Sequence, residues 1–141
     1  NQKLPNAMQG IGCFDGMFDG WVVENNVVIT DHWHGISFYG MTNSRIVNNT
    51  VIDVDNTQPG PPWIMVTPHK NGTASQNVVV RNNLATDYDI TGTNITNDHN
   101  TTLAEKKVRA VIMGTVPRPN ASMAAPPPAA APAAAARATK A

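Results

Sequence analysis

Reactive and charged side chains are scarce in this sequence, and each shortage excludes something. One cysteine, Cys13, stands in 141 residues, so no intramolecular disulfide can staple the chain. It sits in the apolar run Gly10-Ile11-Gly12-Cys13-Phe14, where a thiol reads as a small interior hydrophobe and not as a nucleophile. Charged residues make up 14% of the chain and sum to a formal net charge of zero. That balance removes the electrostatic case for nucleic acid or an anionic membrane, and no basic stripe interleaved with aromatics supplies one locally. Long apolar runs are missing too. None approaches the roughly 20 residues of a membrane-spanning helix. The runs that exist, Val27-Val28-Ile29, Ile46-Val47, Val51-Ile52 and Val78-Val79-Val80, are too short for helices and are β-branched, which suits a pleated, half-buried surface.

What the chain has in quantity is a repeated phrase. Val23-Glu24-Asn25-Asn26-Val27-Val28 returns as Val47-Asn48-Asn49-Thr50-Val51 and again as Val80-Arg81-Asn82-Asn83-Leu84. Gly10-Ile11-Gly12-Cys13-Phe14 and Gly35-Ile36-Ser37-Phe38-Tyr39 precede the first two Asn pairs, and Trp63-Ile64-Met65-Val66 precedes the third. A self-similar unit of this length marks an array in which each turn of chain buries its apolar face on the next. Asn25, Asn48 and Asn82 are 23 and 34 residues apart, so the second interval carries about eleven extra residues. Gln58-Pro59-Gly60-Pro61-Pro62 and Lys70-Asn71-Gly72-Thr73-Ala74-Ser75 supply them, the first unable to join a ladder for want of donors, the second a polar loop. In parallel register Ile11, Ile36 and Ile64 form one interior column, at about 4.8 Å per rung, and Asn25, Asn48 and Asn82 form a second. Stacked asparagines donate and accept along the axis, and asparagine tolerates the left-handed backbone of a sharp corner.

The Gly-Ile-x-Phe strand, the Asn-Asn corner and the Val-rich rungs resemble the right-handed parallel β-helix proteins related to pectate lyases, a group that includes polysaccharide epimerases and phage tailspikes. The resemblance covers roughly residues 6–100, as three units and a partial fourth at Asn94-Ile95-Thr96-Asn97-Asp98. It implies a right-handed parallel β-helix of about three to four coils over residues 1–116; the Pro- and Ala-rich composition of residues 117–141 reads as a disordered tail. A short segment, residues 103–113, is expected to close the last coil. Proteins of the group commonly have more coils, and the chain starts at Asn1 and not Met, so a fragment or processed product is expected, with neighbouring coils of a longer chain or an oligomer covering the ends. The resemblance also implies an extracellular or cell-surface setting and an acidic polysaccharide as partner.

Chemistry on such a scaffold comes from polar side chains beside the rungs. Counting past each Asn pair places Thr30, Asp53 and Asp87 in one column and His32, Asp55 and Asp89 in the next. Carboxylates one or two rungs apart, roughly 5 to 10 Å, stand at the separation of acid and base on a glycosidic bond. The plainer reading of the same aspartates is Asx-turn chemistry at solvated corners. In Asp31-His32-Trp33-His34 an extended backbone turns His32 and His34 to one face, but two ligands make no metal site, and none is assigned. In uronate lyases and epimerases of this fold a basic side chain neutralises the sugar carboxylate while another residue exchanges the C5 proton. The resemblance therefore implies His34, His69, Lys70 and Asp55 as the catalytic candidates, with Tyr39, His32, Trp33 and Trp63 contacting the sugar. Asp15 and Asp19, in paired Asp-Gly turns, are the residues that would admit calcium; as plain turns they need none. Five Asn-x-Ser/Thr triplets, at Asn48, Asn71, Asn94, Asn100 and Asn120, read as consequences of composition, Asn48 being assigned to the interior. Two function classes remain: a carbohydrate-active or carbohydrate-binding β-helix (lyase, epimerase or hydrolase-like), and a structural or adhesive β-helix without a catalytic centre.

Overall fold

A computed structural model of the chain describes residues 8–53 and 60–102, and these are all β. In chain order the strands are β1 (Ile11–Cys13), β2 (Phe18–Asp19), β3 (Val22–Glu24) and β4 (Val27–Ile29), then β5 (His34–Tyr39), β6 (Met41–Val47) and β7 (Thr50–Ile52). There follow β8 (Trp63–Thr67), β9 (Gln76–Arg81) and β10 (Leu84–Ala85), then β11 (Asp87–Ile90), β12 (Thr93–Asp98) and β13 (Thr101–Thr102). Consecutive strands do not pair. Each instead lies parallel to the strand that holds its place in the neighbouring repeat, which yields three stacked sheets. The first has the order β1-β5-β8-β11, the second β12-β9-β6-β2 with β3 also on β6, and the third β13-β10-β7-β4. The chain visits the three sheets in the same sequence each time, the arrangement expected of a β-helix or solenoid.

The register follows the apolar pattern. Ile11 pairs with Ile36 and Ile36 with Ile64, as the repeat predicts, and Tyr88 extends the column. Ile36, Phe38, Ile46, Val51, Ile64, Val66 and Val80 are fully buried, so each sheet contributes its inward face to one core. Gly35 is required where the chain enters β5: a Cβ there would stand 2.9 Å from the Trp63 carbonyl and strike the Val51 side chain. In the last repeat Tyr88, Ile90 and Ile95 still pack on the core, while two positions turn polar, with Asn97 opposite Val80 and Thr102 opposite Ala85.

The Asn pairs are placed differently from the expectation. Asn25, Asn48 and Asn82 face outward at φ of 59°, 56° and 54°, making the left-handed corner, and His99 takes that role at 53°. The interior ladder belongs to the second member of each pair. Asn26 donates to Asn49 Oδ1 at 3.0 Å, Asn49 to Asn83 Oδ1 at 3.0 Å, and Asn83 to Asn100 Oδ1 at 2.9 Å. The reason is periodicity: once the first Asn turns the corner, the next residue points inward, where only a side chain that donates and accepts satisfies the corner backbone. Asn48 is accordingly exposed, not interior. A further outward ladder runs from Asn94 through Asn77 and Asn43 to Asp19, with links of 2.6, 3.1 and 2.7 Å.

The aspartate columns also differ. Thr30 donates its backbone N–H to Ile52, which puts it level with Asp53, but Asp87 pairs with Trp63 and Asp89 with Met65 in the first sheet. The third repeat has only a two-residue strand, β10, before the chain turns, so counting from the Asn pair overruns the corner. Asp55, residues 103–113 and the 117–141 tail lie outside the described residues. No helix among the described residues is long and apolar enough to cross a membrane.

Candidate functional site

The outer face of the first sheet gathers a run of aromatic side chains. In β5, Ile36 and Phe38 point into the core, so Ser37 and Tyr39 take the outer side, and an irregularity in the pairing between His34 and Ile36 brings His34 to the same side, against Ser37; in β8, Ile64 and Val66 point in and Trp63 out. His34 is level with Trp63, and Ser37 lies between and behind them. Ser37 Oγ stands 3.0 Å from His34 Nδ1 and accepts a hydrogen bond from Trp63 Nε1 at 3.1 Å. Trp63 Nε1 thus donates to Ser37 Oγ, and the Ser37 hydroxyl shares a second hydrogen bond with His34 Nδ1. Burial holds His34 below its ordinary value, and its neighbour His32 acts in the same direction.

Around this bonded trio the rings touch in sequence. Tyr39 and Phe14 have centroids 5.4 Å apart, Phe14 and His34 4.7 Å, His34 and Trp63 5.6 Å, and Trp63 and Trp33 6.4 Å with planes 19° from parallel. These separations are those of packed aromatic pairs. His32 stacks on His34 at 5.2 Å and meets Trp33 edge-on at 5.8 Å. The run Asp31-His32-Trp33 is a bend and not a strand, which is why Trp33 comes to lie beside Trp63. The Trp33 carbonyl holds that bend by accepting from the N–H groups of Gly35 and Trp63 at 2.9 and 2.8 Å. Gly12 makes room for the strip, since a Cβ there would stand 2.8 Å from the Phe14 ring. Trp33 is 44% exposed, so the strip opens to solvent at that end.

His69 and Lys70 are elsewhere. They follow the end of β8, where the chain turns toward the second sheet, whereas His34 begins β5. His69 Nε2 accepts from the Gly16 N–H at 3.3 Å, and Lys70 Nζ is 2.6 Å from Asp15. That ammonium holds the Asp15 carboxyl below the usual carboxylate range. Of the described catalytic candidates, His34 therefore stands at one end of the first sheet's strands and His69 and Lys70 at the other; His32, Trp33 and Trp63 gather around His34, and Tyr39, level with Thr67, is joined to it through the Phe14 ring. Asp15 and Asp19 turn to different partners, Asp19 accepting from Thr42 Oγ1 at 2.8 Å and Asn43 at 2.7 Å. Among the described residues no three His, Cys, Asp or Glu side chains converge as cation ligands do.

Sequence reasoning passed over Phe14 and Ser37, and it set Asp87 and Asp89 in columns with Asp53 and Asp55 and not beside Trp63. Strand alternation around Ile36 and Phe38 marks Ser37 as outward beside His34, and the glycine two residues before Phe14 is the signal for a ring folded back over its own strand. Asp87 and Asp89 alternate with the inward Tyr88 and Ile90, so both stand exposed on the face that carries Trp63. Comparison of the chain with protein-family models, with curated proteins and with solved structures finds no match to any of them.

Proposed function

We propose that this chain is a right-handed parallel β-helix of the pectate lyase-like kind that binds a polysaccharide along the outer face of its first sheet. The observation that carries the reading is the unbroken strip Tyr39, Phe14, His34, Trp63 and Trp33. Sugar rings present apolar C–H faces that stack on aromatic side chains and hydroxyls that need acceptors and donors, and this face offers both. A six-residue strand extends on the order of 20 Å, so the strip is long enough to meet a few consecutive sugars. His34 is the group in the strip best suited to move a proton, because burial keeps its imidazole neutral near pH 7. His69 and Lys70, at the far end of the strands, are assigned to the rim of the surface.

The test is binding of the intact chain to a panel of polysaccharides, followed by tryptophan fluorescence, with turnover assayed in parallel by released reducing ends and unsaturated product. Saturable binding is expected, weakened about tenfold by Trp63→Ala and by Trp33→Ala, the loss of one well-packed stacking contact each. Absence of binding across the panel with the fold intact would transfer the chain to the structural or adhesive class.

A further inference from the structure

We infer that the glycan taken by this face is uncharged, with hydroxyls on its rings and no carboxylate. The inference rests on the reading of the first sheet's outer face as a glycan-binding surface and adds the charge of the ligand. A uronate polymer brings an anion with each acidic sugar, and placing that anion against a half-buried aromatic surface is costly unless a cation meets it. Lysine and arginine are the side chains that do so, arginine with two parallel hydrogen bonds.

Among the described residues there are three, and each already faces a carboxylate. Arg45 Nη2 is 3.1 Å from Glu24, Lys70 Nζ 2.6 Å from Asp15, and Arg81 Nε 2.6 Å from Asp98. Arg45 and Arg81 belong to β6 and β9, in the second sheet. Lys70 alone borders the first, and a uronate would have to displace Asp15 to use it. The histidine at the centre of the strip supplies no charge near neutrality, because burial and the adjoining His32 ring both disfavour its protonation.

What the face presents in addition to aromatic rings is anionic. Asp87 and Asp89 project outward from β11, in register with Trp63 and Met65, so their strand runs about 4.8 Å from the one bearing the Trp63 ring. Carboxylates at that distance accept hydrogens from sugar hydroxyls in short, charge-assisted bonds and repel a second carboxylate. A neutral glycan therefore gains on both counts where a uronate loses on both.

The experiment compares a neutral β-glucan with polygalacturonate as ligands of the full chain by titration calorimetry at about 20 mM salt, where charge effects are least screened. The expected result is a Kd at least about tenfold lower for the neutral polymer, a gap that shrinks at high salt. It should also shrink in the double variant Asp87→Asn, Asp89→Asn, whose amides still accept hydrogen bonds but no longer repel. Equal or tighter binding of polygalacturonate, abolished by Trp63→Ala, overturns the inference and leaves the glycan-binding reading standing. Failure of both polymers to bind the folded chain overturns both. A preference for the neutral polymer that the double variant leaves unchanged removes the role assigned to Asp87 and Asp89.

Discussion

Asn49 donates through Nδ2 to the carbonyls of Val23 and Val47 and to Asn83 Oδ1, each at 3.0 Å, while its own Oδ1 accepts from Asn26. It is fully buried, so no water is at hand to replace any of these partners. Its neighbour Asn48 lies outside, with φ at 56°, and its Oδ1 accepts from Asn82 Nδ2 at 2.6 Å, an exposed bond that water can replace. The two substitutions should part accordingly. Asn49→Ala is expected to lower stability by about 2–4 kcal/mol, because it strands several buried polar groups at once. Asn48→Gly should stay within about 0.5 kcal/mol of the parent, since glycine adopts that backbone freely. Urea unfolding followed by circular dichroism measures both, and equal effects would mean that the inward and outward assignments are wrong.

At the scale of elements, Tyr88 ties β11 to the strand that follows its rung. Its hydroxyl lies 2.8 Å from the Asn83 carbonyl and 3.1 Å from that of Thr101, and its ring continues the isoleucine column. Burial pushes the phenol up to about 12, from an ordinary value of 10.0. The folded-state value is the higher, so Tyr88 contributes in full below about pH 10, and the contribution is lost as pH rises through about 12. Alkaline unfolding should therefore set in across that window together with phenolate absorbance. In Tyr88→Phe the alkaline fall should be shallower. The acid side is governed by outward carboxylates: Arg81 hydrogen-bonded to Asp98, and Thr42 and Asn43 bonded to Asp19, hold those groups below the usual carboxylate range. What they contribute is present above that range and lost as pH falls through the lowered values, weakly and in a salt-dependent way, because all are solvent-exposed.

For the whole molecule the relevant fact is that each repeat is stabilised by its neighbours, so strands with a partner on both sides are held more firmly than those at an edge. β5, β6 and β7 are flanked on both sides, as are β8, β9 and β10; β1, β2, β3, β4, β11, β12 and β13 are not. Amide hydrogen exchange should be slowest in the flanked strands and fastest in the edge strands. Phe38→Ala, in the shared core, should cost about 3–5 kcal/mol and bring exchange in both groups toward the same rate. A trimming of Ile11, which is only partly buried in β1, should speed exchange at that edge and leave β8 and β9 protected. Uniform exchange across all strands would contradict the stacking account.

Much of the fold was legible in the chain because a solenoid writes its register as a repeat. The apolar strand before each Asn pair, Gly-Ile in the first two repeats and Trp63-Ile64 in the third, aligned Ile11, Ile36 and Ile64, and the β-branched runs excluded helix by their length. The candidate site was legible in part. Tyr39, His32, Trp33, Trp63 and His34 were visible as residue types beside equivalent strands, but their union depends on a bend at residues 31–33 and on Phe14 folding back over Gly12, and a periodic pattern records neither. Which asparagine of a pair faces inward depends on where the corner takes its positive φ, a shift of one residue that reverses every side chain. Counting likewise put Asp87 and Asp89 in the wrong sheet, because the length of β10 is set by where the chain turns and not by composition. The sequence by itself determined parallel, stacked strands and their order, since apolar periodicity is a local property that many rungs repeat. Only the tertiary structure decided which side chains share the outer face and which cations are already paired, since both depend on contacts between residues far apart in the chain.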